Sequence, residues 1–143
     1  MSSVAPRKPL VLVADVDEGF RTLENVFGET AELITVSTVS DALESLLGHQ
    51  VDLVVCGIHF DDSRMFDLLR TIQADQRLRG TPCLCFRDLN SQLAAALLES
   101  LEISCRALGA EGFVDLYELK RKYGVAGADE RFRLILERCL EPA

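Results

Sequence analysis

The sequence lacks both a long apolar run and an excess of basic residues. No stretch approaches the ~18 apolar residues that span a membrane, and the N-terminal letters MSSVAPRKP lack the apolar segment of a signal peptide. The chain has 15 Lys and Arg against 23 Asp and Glu, a formal net charge of −8, whereas nucleic-acid binding needs clustered positive charge. We therefore expect a soluble, cytoplasmic protein that binds neither membranes nor nucleic acid.

The chain also lacks the cysteine spacing of a disulfide framework or a redox motif. Its five cysteines are odd in number, and no two have the C-x-x-C spacing. We expect reduced thiols that are mostly buried as small apolar side chains, and a redox sensor has no motif to support it. Cys83 and Cys85 are assigned to opposite faces of one strand, and Cys56 is expected nearest the functional cleft.

What the chain does have is the size and apolar content of one folded domain. It has 143 residues, of which 48% are hydrophobic, and no low-complexity tract. The first residues are small or polar, so we expect residues 1–8 to be flexible. Residues 9–143 are expected to form a single domain.

Apolar runs alternate with amphipathic segments along that domain. The runs PLVLVADV, AELITV, VDLVVCGI, TPCLCF and GAEGFVD are typical of strands buried on both faces. Segments with helical spacing follow each run, and the last is expected as two pieces, LYELKRKYG and ADERFRLILERCLE, split by GVAGA. This order predicts an α/β fold: a flavodoxin-like, doubly wound five-stranded parallel sheet of order 2-1-3-4-5 with helices on both faces.

In such sheets the functional groups gather at the carboxyl ends of the strands. The residues at that edge are Asp15 and Val16 after strand 1, Gly57 to Phe60 after strand 3, Arg87 and Asp88 after strand 4, and Asp115 and Leu116 after strand 5.

The order and spacing of these segments resemble the receiver domains of two-component response regulators, the CheY-like domains. VLVADVDEGFRTLENVF is similar to a receiver's first strand and helix, and STVSDALESL to its second helix. VDLVVCGIHFDDSRMFDLLRTI is similar to the third strand and helix, and TPCLCF and GAEGFV to strands four and five. The resemblance covers residues 9–115 and implies a role in phosphorelay signal transduction.

The resemblance also implies a phosphorylation site, and this chain departs from it. A working receiver has two acids after strand 1 that hold Mg²⁺ and a phosphoacceptor Asp at the end of strand 3. Asp15 matches the first acid, but Val16 stands in place of the second and Gly57 in place of the phosphoacceptor. Glycine has no side chain that could attack a phosphoryl group.

The remaining positions of the family's site are changed as well. Arg87 stands where a receiver has a Ser or Thr, and Leu116 where it has a Lys. Phe113 matches the position of the switch aromatic residue. We therefore interpret the chain as a degenerate receiver, a pseudo-receiver, that is not an enzyme, needs no cofactor, binds Mg²⁺ weakly or not at all and acts by phosphorylation-independent protein–protein interaction.

The alternative function is a small-ligand or metal-binding sensor that uses the remodelled cleft. Asp15, His59 and Asp61 are its candidate ligands, and the missing side chain at Gly57 would open the space. The interpretation without a functional role is that Asp61 is a polar loop residue before a helix N-terminus. Arg87 is expected either to pair with Asp15, filling the vacated phosphate space, or to face solvent.

Two regions are longer than the resemblance to a receiver predicts. Helix 4 is expected to extend over residues 90–108, and an extra helical segment follows strand 5. Both flank the face formed by helix 4, strand 5 and helix 5, which receivers use to dimerise or to contact effectors. We therefore expect a protein partner of a signalling pathway, or a second copy of the chain, to bind there.

Overall fold

The computed structural model describes residues 7–88 and 95–141, in which strands and helices alternate. The strands are β1 (Leu10–Ala14), β2 (Glu32–Val36), β3 (Leu53–Gly57), β4 (Cys83–Arg87) and β5 (Phe113–Asp115). The helices are α1 (Asp17–Phe27), α2 (Val39–Gly48), α3 (Met65–Ala74), α4 (Ala95–Ala107) and α5 (Leu116–Cys139). The predicted alternation is confirmed.

The five strands form one parallel sheet of order β2-β1-β3-β4-β5, as the sequence predicts. All residues of β1, β3 and β4 are buried, because helices cover both faces of these central strands. The second strand is added on one side of β1 and the later strands on the other side. The carboxyl ends of β1 and β3 therefore flank the crevice where α/β sheets carry their sites.

Two apolar layers hold the sheet. In β1, Leu12 and Ala14 pack with α2, α3 and α4, whereas Val11 and Val13 pack with α1 and α5. This division follows from the alternation of side chains along a strand. The assignment of Cys83 and Cys85 to opposite faces of β4 was wrong for the same reason, because residues two apart share a face, and both belong to the layer that packs with α2, α3 and α4. The layer beneath α5 is closed by Phe132, whose ring lies 5.5 Å from that of Phe86 in β4.

Helix α5 is broken where the sequence predicts a break. Gly124 has φ +73° and ψ 172°, a left-handed conformation that glycine adopts without steric cost, so two helical pieces meet at this residue. The predicted extension of α4 over residues 90–94 lies outside the described residues, as does most of the segment 1–8. Within the described ranges, no helix is both long and apolar enough to cross a bilayer.

Candidate functional site

The carboxyl edge of the sheet begins with Asp15, which directly follows β1. Its side chain is only 9% exposed, and the Val16 backbone N–H donates a hydrogen bond to its carboxylate. Its Oδ1 atom has no hydrogen-bond partner, and the described residues form no salt bridge to it. Asp15 is therefore a buried acid whose negative charge is poorly compensated.

Two glycines make room for this carboxyl group. A Cβ atom added at Gly57, in β3, would overlap the carboxyl carbon and both oxygens of Asp15. A Cβ added at Gly19, in α1, would overlap Oδ2, the carboxyl carbon and Cβ of Asp15. The space that the missing side chain at Gly57 was expected to open is thus filled by Asp15.

The surroundings of Asp15 disfavour its charged form. Burial raises the pKa of Asp15 from 3.8 to about 6, and the hydrogen bond from Val16 only partly opposes this. The nearby carboxylates of Asp88 and Glu18 raise this pKa further. A carboxyl group with a pKa near 6 is mostly ionised at pH 7 and takes up a proton in mildly acidic solution.

Arg87 lies at the other side of the edge, and neither prediction for it was correct. It is 5% exposed, so it does not face solvent, and its Nε donates to Asp115 Oδ1 over 2.9 Å rather than to Asp15. Arg87 and Asp115 are register partners at the ends of β4 and β5. The same carboxylate accepts the Glu118 backbone N–H and so caps α5, while the Arg87 guanidinium lies 5.4 Å from the centre of the Tyr117 ring.

A second ion pair at this edge was missed by the sequence analysis. Asp88 Oδ1 accepts a hydrogen bond from Lys120 Nζ at 2.7 Å, and Asp88 Oδ2 accepts one from the Thr22 hydroxyl. These contacts join the end of β4 to α1 and α5. Lys120 lies one helical turn beyond Leu116, the position that the resemblance assigns to a lysine. This lysine one turn later in α5 was the sequence signal that could have predicted the ion pair.

The residues at this edge do not fit a magnesium ion. Mg²⁺ favours several hard oxygen ligands in octahedral geometry, but Val16 and Gly57 offer no side-chain oxygen. Asp88 is already engaged by a cation and a hydroxyl group, so it is not free to join Asp15 as a ligand. Across residues 7–88 and 95–141, no group of three His, Cys, Asp or Glu side chains is arranged to hold a metal ion.

The other candidate ligands have surroundings of their own. Asp61 Oδ2 accepts the Val39 backbone N–H at 2.9 Å, so this carboxylate satisfies the N-terminus of α2. His59 lines a cavity of about 300 Å³ between the β3–α3 loop and α4, and its buried Nε2 has no hydrogen-bond partner. Asp15, His59 and Asp61 are therefore not assembled into a single metal site.

The loop that carries Asp61 has an uncommon backbone. Asp61, Asp62 and Ser63 all have positive φ, at 46°, 54° and 68°. Three successive left-handed residues other than glycine are strained, and such strain persists only where surrounding contacts enforce it. The bond from Val39 to Asp61 and the bond from the Arg64 backbone N–H to the Phe60 carbonyl, at 2.8 Å, supply such contacts.

The last two predicted site positions lie on and beside β5. Leu116 is fully buried in the layer that α1 and α5 form, so it is a core residue with no atom that could bind a phosphoryl group. Phe113 is half-buried and packs against the opposite layer, beside α4.

Comparison with known proteins identifies the fold. No protein-family model and no curated protein sequence matches the chain. Among solved structures, a putative response regulator from Chloroflexus aurantiacus J-10-fl has 15% identity and a TM-score of 0.72, covering 94% of this chain and 98% of its own. A response regulator from Hahella chejuensis has 20% identity and a TM-score of 0.70, covering 92% and 95%. The phosphorylated cyanobacterial phytochrome response regulator RcpA has 16% identity and a TM-score of 0.71, covering 96% and 97%.

These structures span nearly the same length as this chain, so the likeness extends over the whole sheet and both helical layers. The chain therefore has the flavodoxin-like, CheY-like fold of response-regulator receiver domains.

Proposed function

We propose that this protein is a non-enzymatic signalling module, a pseudo-receiver that acts by protein–protein contact without being phosphorylated. The observation that carries the proposal is the overlap between Asp15 and the side-chain space of Gly57. A receiver keeps that space for its phosphoacceptor and the adjoining phosphoryl group, whereas here a buried carboxyl group occupies it.

Internal ion pairs supply the second part of the argument. Arg87 with Asp115 joins β4 to β5, and Lys120 with Asp88 joins β4 to α5. Arg87 lies where a receiver has a Ser or Thr, and Lys120 lies one helical turn beyond the position of its lysine. Because these groups are already neutralised within the chain, we propose that the edge stays in one state without a ligand.

The surface around α4, β5 and α5 is the proposed contact face. Helix α4 exposes Ile103 at 62% and Leu97 at 48%, apolar area that a protein partner would bury on binding. A protein partner of a signalling pathway or a second copy of the chain would bind there.

The test of phosphorylation is the intact mass of the protein after incubation with Mg²⁺ and acetyl phosphate, with Asp15→Asn in parallel. We expect no phosphoryl adduct on either protein. An adduct on both would identify a substitute acceptor, with Asp61 and Asp62 examined first. An adduct that disappears with Asp15→Asn would overturn the proposal, because the retained acid would then support the reaction.

The contact face is tested by the native mass over a concentration series and by binding to candidate receiver partners. Ile103→Asp lies on the proposed face, and Leu47→Asp is its matched control, since Leu47 is 51% exposed on α2. We expect Ile103→Asp alone to weaken association. Equal effects of both substitutions would contradict the choice of face.

One observation favours ligand sensing as a second candidate, in a cavity that His59 lines but Asp15 and Asp61 do not. The cavity beside His59 is mostly apolar, and its buried, unpartnered Nε2 would be satisfied by a ligand hydroxyl or amide. Thermal-shift measurements with small apolar alcohols and amides, compared between the native protein and His59→Phe, test it. A shift that the substitution abolishes would favour a sensor.

A further inference from the structure

The two edge strands of the sheet, β2 and β5, differ in how well they are protected from pairing with another chain. β5 has three residues, whereas β2 has five and pairs with β1 in an unbroken register. Apart from Glu32 at its start, β2 carries no charge, and it contains no proline and no bulge, the features by which edge strands avoid further pairing. β2 is therefore the edge better suited to accept another strand.

The outward side of β2 presents backbone groups that have no partner. The Glu32 N–H donates to the Pro9 carbonyl at 2.8 Å, so the even-numbered residues of β2 bond towards the β1 side. Because the backbone groups of successive residues in a strand point to alternate sides, those of Leu33 and Thr35 point away from the sheet. In the part of the chain that the structure describes, nothing bonds these outward groups. An added strand would satisfy them with main-chain hydrogen bonds.

Open cavities lie on both faces of this edge. On the α1 side, Phe20 and Leu33 line a cavity of about 400 Å³. On the α2 side, Val36 and Ser45 line a cavity of about 430 Å³. Leu33 and Ile34 are half-buried, one in each apolar layer, and leave apolar area uncovered. Since side chains alternate along a strand, those of an added strand would enter the two cavities in turn.

Acidic side chains line both cavities. Glu24 and Glu32 lie at the cavity on the α1 side, and Asp41 and Glu44 at the cavity on the α2 side. All of them are exposed, and none forms a salt bridge within the described ranges. Lys8 is the one Lys or Arg that lines either cavity. The charge of this edge therefore complements a basic partner.

We propose that β2 is a docking site for an extended, basic segment of a protein partner, which adds to the sheet as a further strand. Main-chain bonds to Leu33 and Thr35 hold the segment, and its Lys or Arg side chains meet the acids around the two cavities. β2 lies at the opposite edge of the sheet from β5. The proposal therefore goes beyond the contact face around α4, β5 and α5 and does not depend on it.

The probe is a labelled peptide with a centre of Val, Ile and Thr and with lysines on both sides. Its binding to the full chain is followed by fluorescence anisotropy, and the control peptide carries Glu in place of Lys. We expect the basic peptide to bind, with an affinity that falls as the salt concentration rises, and the acidic peptide not to bind. Equal binding of the two peptides, or binding of neither, would overturn the proposal.

Hydrogen exchange shows whether the bound peptide forms a strand. The amides of Leu33 and Thr35 should exchange about ten-fold more slowly when the peptide is bound, because their N–H groups then donate to its backbone. Binding without this protection would mean that charge alone holds the peptide, and the proposal would be wrong. It would also be wrong if these amides became protected at high protein concentration without peptide while the native mass doubled, since a second copy would then occupy the edge.

Two variants of the edge test the same point. Thr35→Pro removes an outward N–H, a change that an edge strand tolerates, and should weaken peptide binding by about ten-fold. Thr35→Val keeps that N–H and should bind as the native protein does. Glu32→Lys combined with Glu44→Lys leaves the backbone intact and should weaken binding several-fold, with Glu130→Lys, exposed on α5, as the control. Native affinity in both edge variants would show that the peptide does not use β2.

This proposal and the proposed contact face fail separately. Ile103→Asp should leave binding of the basic peptide unchanged, because Ile103 lies on α4 and not beside β2. Loss of peptide binding in this variant would place the peptide on the contact face and overturn the docking site at β2.

Discussion

The two halves of the sheet's carboxyl edge accommodate their buried acidic side chains in different ways. At the ends of β4 and β5, Arg87 is paired with Asp115, and Asp88 is held by Lys120. At the ends of β1 and β3, Asp15 is buried with an unpaired oxygen. Glycine at position 57 leaves space for its carboxyl group, but no cation of the described residues pairs with it. One half is saturated with partners, and the other keeps an uncompensated acid.

The difference shows that one sheet edge can hold acids in two ways, with a cationic partner or in a space left by glycine. Filling the paired half with internal cations satisfies the carboxylates and stabilises the edge. The unpaired half carries a residual cost, because a buried carboxylate without a partner is unfavourable at neutral pH. Removing the charge of Asp15 should therefore raise stability at neutral pH, whereas removing a cation from the paired half should lower it.

The largest effect is expected from a side chain at Gly57. Gly57→Ala should lower the free energy of unfolding by about 3 kcal/mol, because its Cβ overlaps the Asp15 carboxyl group and the central strands cannot yield freely. Chemical denaturation measures the change. Gly48→Ala is the control, since a Cβ there meets no atom within 4 Å.

The overlap also predicts a rescue. Asp15→Ala removes the carboxyl group that a Cβ at position 57 would overlap. The double variant should therefore be about 2 kcal/mol more stable than the added effects of the two single substitutions predict. Strict additivity would mean that Asp15 is not what excludes a side chain at position 57.

The second effect comes from breaking the paired half. Arg87→Met should cost about 2 to 3 kcal/mol of unfolding free energy, because it leaves the Asp115 carboxylate at the edge without its guanidinium partner. Arg121→Met is the control, since the exposed Arg121–Glu118 pair contributes little. Equal losses for both variants would show that the Arg87 pair is no stronger than a surface contact.

The third effect has the opposite sign. Asp15→Asn should raise stability at pH 7 by about 2 kcal/mol, because the folded protein holds the pKa of Asp15 near 6 rather than 3.8 and its ionisation favours unfolding. Between those values the folded state binds more protons than the unfolded state, so native stability falls as pH rises through the window. The gain from Asp15→Asn should therefore be full above pH 6 and absent below about pH 4.

Denaturation curves of the native protein and Asp15→Asn across that pH range measure this linkage. Asp17→Asn, an exposed change in the first turn of α1, is the control. A gain that does not depend on pH would show that the charge of Asp15 is not its cause.

Much of the fold was predictable because each local signal agreed with the others. Continuous apolar runs mark β1, β3 and β4, and the order of strands and helices leaves few parallel topologies. The break in α5 follows from glycines in GVAGA, although the sequence does not say that Gly124 is the one with positive φ.

The site was predicted only in part, because its contacts depend on side-chain directions across the edge. Asp15 and Gly57 were both placed at strand ends, but the rotamer that brings one into the space of the other is a tertiary property. The partner of Arg87 was within reach of the sequence, since Asp115 was also placed at the edge. Matching the ends of β4 and β5 in register would have identified that pair.

The smallest change in stability is expected from replacing Lys120, which lies near two acids. It bonds Asp88 directly, and it lowers the pKa of Asp129, which burial and Asp88 raise. Lys120→Met should cost about 1 kcal/mol of stability, since the pair is partly exposed, and should raise the pKa of Asp129 further. Carboxyl chemical shifts followed through a pH titration measure the second change, with Lys122→Met as control. If the Asp129 titration is the same in both variants, Lys120 acts on Asp88 alone, and the paired half contains two separate ion pairs rather than a network that extends into α5.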